Sequence, residues 1–172
     1  RDMYAYHFSG YWKDVGTISS LWEANMEVLD PKNSGIDLFD EDWKIYSRNS
    51  GMTGHKIGSD AVIKNSMITD GCRIDGEVEH SVLFAGVKVA PGAVVKDAVV
   101  MGGTVIKPGA VVEHCIIGEN AVIGENAKIG VEKEGEDKGV ATIGPGVYVG
   151  DGATVGSNAM VRENVKDGEE EW

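Results

Sequence analysis

Apolar residues return at fixed steps through most of the second half of this chain. Leu83, Val89, Val95, Val100, Ile106, Val112, Ile117, Ile123 and Ile129 follow one another by 6, 6 and 5 residues, repeatedly. The larger unit is 17 residues, which joins Leu83, Val100 and Ile117, and the quartets HSVL, DAVV and HCII recur on the same period. The series starts at Ile57 and Ile63 and resumes after an interruption at Ile143, Val149, Val155 and Val161. The earlier quartet NSMI precedes HSVL by 15, so one early turn is two residues short. Such a repeat buries its apolar side only by stacking on its own copies, which predicts a solenoid.

The corner chemistry agrees. Three positions after the apolar residues stand Gly86, Gly92, Gly103, Gly109, Asn120, Asn126, Gly146, Gly152 and Asn158. Gly and Asn tolerate positive φ, so each short strand should end in a sharp corner. Small residues follow, as at Ala93, Ala110, Ala121, Ala127, Ala153 and Ala159, where the backbone turns inward. Three strands and three corners per unit predict a mainly β, three-sided parallel β-helix over residues 56–172. The IGxxAx units resemble those of hexapeptide-repeat families, and that resemblance implies a left-handed coil.

Coils about 4.8 Å apart place residues 17 apart in columns. One column reads Glu79, Lys96, Glu113 and its neighbour reads His80, Asp97, His114. Both are expected to be exposed ladders of alternating charge. A metal shared by His80 and His114 is disfavoured, because two coils separate them by about 10 Å. The stretch VEKEGEDKGVAT (131–142) breaks the repeat and is expected to leave the coil as a loop. The acidic tail VKDGEEEW is expected to cap the last coil with Trp172.

Composition excludes partners more than it selects them. Sixteen basic residues against 28 acidic ones give a net charge of −12, which disfavours a nucleic-acid partner. No apolar run approaches the roughly 20 residues of a membrane-spanning helix. The two cysteines, Cys72 and Cys115, lack metal-ligand spacing and suit a reducing cytoplasm.

Residues 1–55 use a different grammar. Tyr4, Tyr6 and Phe8 alternate as in a strand, and the opening RDMYAYHFSGYW reads as the interior of something longer. SSLWEANMEVLD predicts a helix with Ser20 and Glu23 as its capping box and Leu21, Trp22, Met26 and Leu29 as its apolar stripe. Pro31 and Gly35 are expected to end it. Residues 31–55 read as a linker, with DLFDEDW (37–43) a solvated connector rather than a carboxylate metal cluster.

FSGYWKDVGTISSLWEANMEVL (8–29), DWKIYSR (42–48) and SVLFAGVKV (81–89) together resemble the bacterial glucose-1-phosphate adenylyltransferase family, also called ADP-glucose pyrophosphorylases. The resemblance implies that residues 1–30 are the edge of a nucleotidyltransferase domain and that 56–172 are the C-terminal β-helix. It implies a parent enzyme that joins ATP to glucose 1-phosphate for glycogen synthesis and works as a tetramer. Asp14 would be one of two carboxylates holding Mg²⁺, with Tyr11 and Trp12 lining the sugar side. The need is physical: an attack between two phosphates brings anions together, and a metal on carboxylates offsets the charge. Arg48, His55, Lys56 and Arg73 would be the basic residues nearest an anionic effector. No Gly-rich, Arg-containing nucleotide loop occurs here, so the chain alone is expected to be silent and its role to be assembly and coupling. Two alternatives stay open: a stand-alone hexapeptide acyltransferase using His114 as general base, and a non-catalytic regulatory subunit of the same pathway.

Overall fold

The computed structural model describes residues 2–47, 49–135 and 138–172. Among these, residues from Lys56 onward wind into a parallel β-helix. One face is a six-stranded sheet running Lys56–Ile57, Arg73–Ile74, Lys88–Val89, Val105–Ile106, Val122–Ile123, Tyr148–Val149. The remaining strands form the other two faces. Val94–Val100 and Val111–Ile117 each cross from one of these faces to the next without a break.

The register is the one the spacing predicts. Leu83 lies beside Val100 and Val100 beside Ile117, all in parallel pairing. Ile68 lies beside Leu83, which places the short early turn in the same stack. Ile117 then lies beside Ile143, so the stack closes across the interruption without losing a layer. The second and third faces repeat this with Val89, Ile106, Ile123, Val149 and with Val95, Val112, Ile129, Val155, each no more than 1% exposed. Burying each such side chain contributes about 1.5–3 kcal/mol before chain entropy is subtracted.

The corners carry positive φ at every Gly and Asn position named above. At Gly103 the need is steric as well, since a Cβ there would stand 2.3 Å from Asn120 Oδ1 in the next coil. Ala93, Ala110, Ala121, Ala127 and Ala153 are fully buried. Cys72 and Cys115 are buried free thiols, and burial pushes both upward in pKa, Cys115 very strongly.

Before the β-helix lies one substantial helix, α1 (Ile18–Glu27), followed by a four-residue helix, α2 (Pro31–Ser34). The cap differs from the expected Ser20/Glu23 pair. Thr17 is the N-cap, its hydroxyl accepting from Ser20 N while Ser20 Oγ accepts from Thr17 N. Pro31 opens α2, where its fixed φ suits the first turn, and Gly35 ends it in the left-handed region. The expected strand at Tyr4–Phe8 is absent: residues 2–9 carry no regular structure, and Tyr4 and Tyr6 are about nine-tenths exposed. Alternation can favour a strand only where another strand supplies the hydrogen bonds, and none adjoins this segment among the described residues.

The apolar stripe of α1 packs on the outside of the β-helix. Met26, Trp22 and Leu21 meet Val82, Val99 and Ile116, the outward-facing third letters of the three quartets. Trp22 donates from Nε1 to the carbonyl of Asp97 at 2.7 Å. Val140, from the segment that interrupts the repeat, joins the same cluster. That segment therefore returns to the α1 face as it re-enters the coil, and Glu132 and Lys138 close its base with a 2.6 Å ion pair. Residues 136 and 137 of the expected loop lie outside the described residues. The Trp172 ring lies against Gly156, where a Cβ would meet Cε3 at 2.5 Å, and Lys133 Nζ sits 5.1 Å from its centroid.

Candidate functional site

YWKDVGT forms an irregular ribbon leading into α1, with burial alternating from Tyr11 to Asp14. Tyr11 and Lys13 turn toward the helix, whereas Trp12 and Asp14 turn outward and are exposed. Tyr11 OH donates to Glu27 Oε2 at 2.6 Å. Lys13 Nζ reaches Glu27 Oε1 at 2.6 Å and Glu23 Oε2 at 2.9 Å. These bonds raise the Tyr11 and Lys13 pKa values, and the Lys13 ammonium, then the Tyr11 hydroxyl, lowers that of Glu27. Glu23 and Glu27 are one helical turn apart and would repel each other, so the amine between them also relieves α1. The last letter of the motif, Thr17, is the helix cap itself.

The ribbon and α1 border an open hollow of about 530 Å³ lined by Gly10, Tyr11, Trp12, Lys13 and Glu27. Asp14, next in sequence to Lys13, does not line this hollow and forms no hydrogen bond or ion pair among the described residues. An exposed, unengaged carboxylate is a hard oxygen donor of the type Mg²⁺ takes. Among the described residues no group of three or more His, Cys, Asp or Glu could hold a metal, so Asp14 by itself makes no metal site.

The basic residues singled out from the sequence separate. Lys56 and Arg73 are register neighbours, and Lys88 continues their column on the next coil. All three line a hollow of about 410 Å³, with Lys107 and Asp75. His55 instead borders an apolar hollow of about 490 Å³ with Phe39, Ile57 and Met67, beneath the end of α1. Arg48 lies outside the described residues. Lys88 and Lys107 were visible as residues but not as members of one group, because only the coil register brings them to Arg73.

The His80, Asp97, His114 column is half-buried instead of fully exposed, while the expected cross-coil pairing is present between His80 and Asp97. All three residues adopt positive φ, at 45°, 49° and 44°, and form a corner that Trp22 of α1 contacts at Asp97 and His114. His80 Nδ1 lies 2.7 Å from Asp97 Oδ1. The His114 ring stacks on Trp22 with centroids 4.4 Å apart and planes tilted by 60°. Burial, and next the nearby Lys138, lower the His114 pKa. In the adjoining column Glu79 and Lys96 are in register, yet the ion partner of Glu79 is Lys64, at 3.3 Å.

Two protein-family models match the chain: GlmU-like, C-terminal hexapeptide over residues 50–150, and nucleotidyl transferase over residues 1–31. Curated relatives named glucose-1-phosphate adenylyltransferase include one from Clostridium perfringens, 54% identical over 101 residues, covering 59% of this chain and 26% of that protein. One from Geobacillus stearothermophilus is 53% identical over 93 residues, or 54% of this chain and 24% of the relative. One from Clostridium beijerinckii is 50% identical over 97 residues, or 56% and 25%. The matched part of this chain spans about a quarter of the length of these relatives.

Proposed function

The chain belongs to the GlmU-like C-terminal hexapeptide family, and from that premise we propose that it is the C-terminal part of a glucose-1-phosphate adenylyltransferase. The parent enzyme joins ATP to glucose 1-phosphate for glycogen synthesis in the cytoplasm. A phosphate oxygen of glucose 1-phosphate attacks the α-phosphorus of ATP, the bond to the β-phosphate breaks, and ADP-glucose and pyrophosphate leave. In this reading Asp14 is a Mg²⁺ ligand, and Trp12 and Tyr11 border the sugar. Bound Mg²⁺ offsets the negative charge of the phosphates that must meet. The chain's own contribution is to hold Asp14 outward on a ribbon fixed to α1.

The observation that carries the proposal is the continuity of YWKDVGT, α1 and the β-helix. Thr17 caps α1, and Trp22 and Met26 seat α1 on the quartet face. The β-helix thus reaches the candidate site through packed contacts. We assign it assembly, as a tetramer with copies of the parent or with a related subunit, and coupling to an anionic effector. Lys56, Arg73 and Lys88 are the basic residues best placed to meet such an effector, since they stand in one column. The chain alone is catalytically silent, lacking a nucleotide loop. The acyltransferase alternative gains nothing from His114, whose ring is occupied by Trp22.

The test is pyrophosphate release from ATP and glucose 1-phosphate, with the intact parent and with this chain alone. The intact enzyme should turn over and lose that turnover in Asp14→Asn without loss of folding, and this chain should release none. Normal turnover by Asp14→Asn would remove the metal role, and enzymatic rates from the chain alone would remove the assignment of silence.

A further inference from the structure

We propose that Glu27 is a positioning residue that fixes the direction in which Asp14 faces; this rests on the reading of Asp14 given above. The argument starts from the ribbon. Burial alternates along it, with Tyr11 and Lys13 half-buried toward α1 and Trp12 and Asp14 exposed, so holding residues 11 and 13 on one side leaves residues 12 and 14 on the other. One carboxylate holds both: Oε2 takes the Tyr11 hydroxyl and Oε1 the Lys13 ammonium, each at 2.6 Å. Glu23 grips the same ammonium at 2.9 Å but none of its bonds reaches Tyr11, so Tyr11 depends on Glu27.

The other end of the ribbon is fixed to the same helix, where Thr17 Oγ1 accepts from Ser20 N at 3.1 Å. Asp14 therefore lies between two attachment points on α1, three residues from one and one residue from the other. The helix is itself immobilised by Met26, the neighbour of Glu27, which is buried against Val82, Val99 and Ile116. Glu27 ties the ribbon to the helix one residue away from Met26, where the helix meets the β-helix surface. Ligands of a reacting metal tolerate little error, and a displacement on the order of 1 Å can cost about a hundredfold in rate.

The experiment uses the intact enzyme with Glu27→Ala, Glu27→Gln and Asp14→Asn. Glu27→Ala should lower kcat by roughly tenfold or more and raise the Mg²⁺ concentration for half-maximal rate, with KM for ATP within about twofold of wild type. Glu27→Gln, which can still bond Tyr11 but carries no charge for Lys13, should fall between alanine and wild type. A second readout needs no turnover: in the metal-free chain, amine labelling followed by mass spectrometry should modify Lys13 several-fold faster in Glu27→Ala. Wild-type kcat, Mg²⁺ dependence and Lys13 labelling in both Glu27 variants, beside an inactive Asp14→Asn, would overturn this role and leave the Asp14 reading standing. Normal turnover by Asp14→Asn would overturn both. Should Glu27→Ala fail to fold, Glu27→Gln decides by the same measurements.

Discussion

His114 shows how position in the coil changes a residue's chemistry. Its backbone is left-handed, a conformation Asn tolerates better than His, and Asn65 occupies the same corner in the first coil. Burial beside Trp22, and next Lys138, lower its pKa, against the opposing pull of Asp97 and Glu132. A histidine whose pKa falls on folding favours the folded state when deprotonated. That stability is complete above the ordinary value of 6.5 and declines as pH falls through the lower folded value, because the unfolded chain takes up a proton the docked ring refuses. Melting temperatures at pH 7.5 and 5.5 should therefore diverge more in wild type than in His114→Asn. Equal divergence would remove the ring from the pH dependence. The column containing His114 could be read from the 17-residue period, but its burial could not, since nothing local says that a distant helix lies over it.

Helix α1 was legible as a helix and illegible as a neighbour. Its stripe of Leu21, Trp22, Met26 and Leu29 follows the helical period in plain sight. Its cap lies three residues before Ser20, because Ser20 bonds back to Thr17 as the N3 partner instead of opening the helix. The docking face did leave a trace: Val82, Val99 and Ile116 are branched apolar residues facing outward on three successive coils, where an exposed face would carry polar ones. Two substitutions separate the cap from the seat. Thr17→Ala should cost about 0.5–2 kcal/mol of local stability, and Met26→Ala about 2–5 kcal/mol. Hydrogen exchange should quicken over 18–27 in both while the inward columns stay protected. Loss of protection at Val100 or Ile117 in Thr17→Ala would mean that α1 holds up the coil instead of resting on it.

At the scale of the molecule, the β-helix was the most legible feature, because one period fixes both which residues are inside and which are adjacent. Parallel register from Leu83 to Val100 to Ile117 follows from spacing alone. The hollow that gathers Lys56, Arg73, Lys88 and Lys107 needs the coil to exist first. Each coil rests only on its neighbours, so damage should spread by layers. Ile123→Ala, at a fully buried site, should cost about 2–5 kcal/mol and loosen first the layers of Ile106 and Val149, read by urea unfolding and hydrogen exchange. Uniform loosening along the whole coil would contradict nearest-neighbour stacking.

Among the described residues no helix is long and apolar enough to cross a membrane, and the extra residues between Ile117 and Ile143 leave the alignment of those two unchanged. That last fact sets a rule of phase. Excess chain can leave at a vertex and rejoin at the same azimuth, so lengthening there rotates nothing above it. A duplicated turn of 17 residues would shift everything beyond it by about 4.8 Å along the axis, with every vertex still pointing its former way. A few residues added within a flat side have no such exit, and would turn the later vertices away from the bearing that α1 keeps.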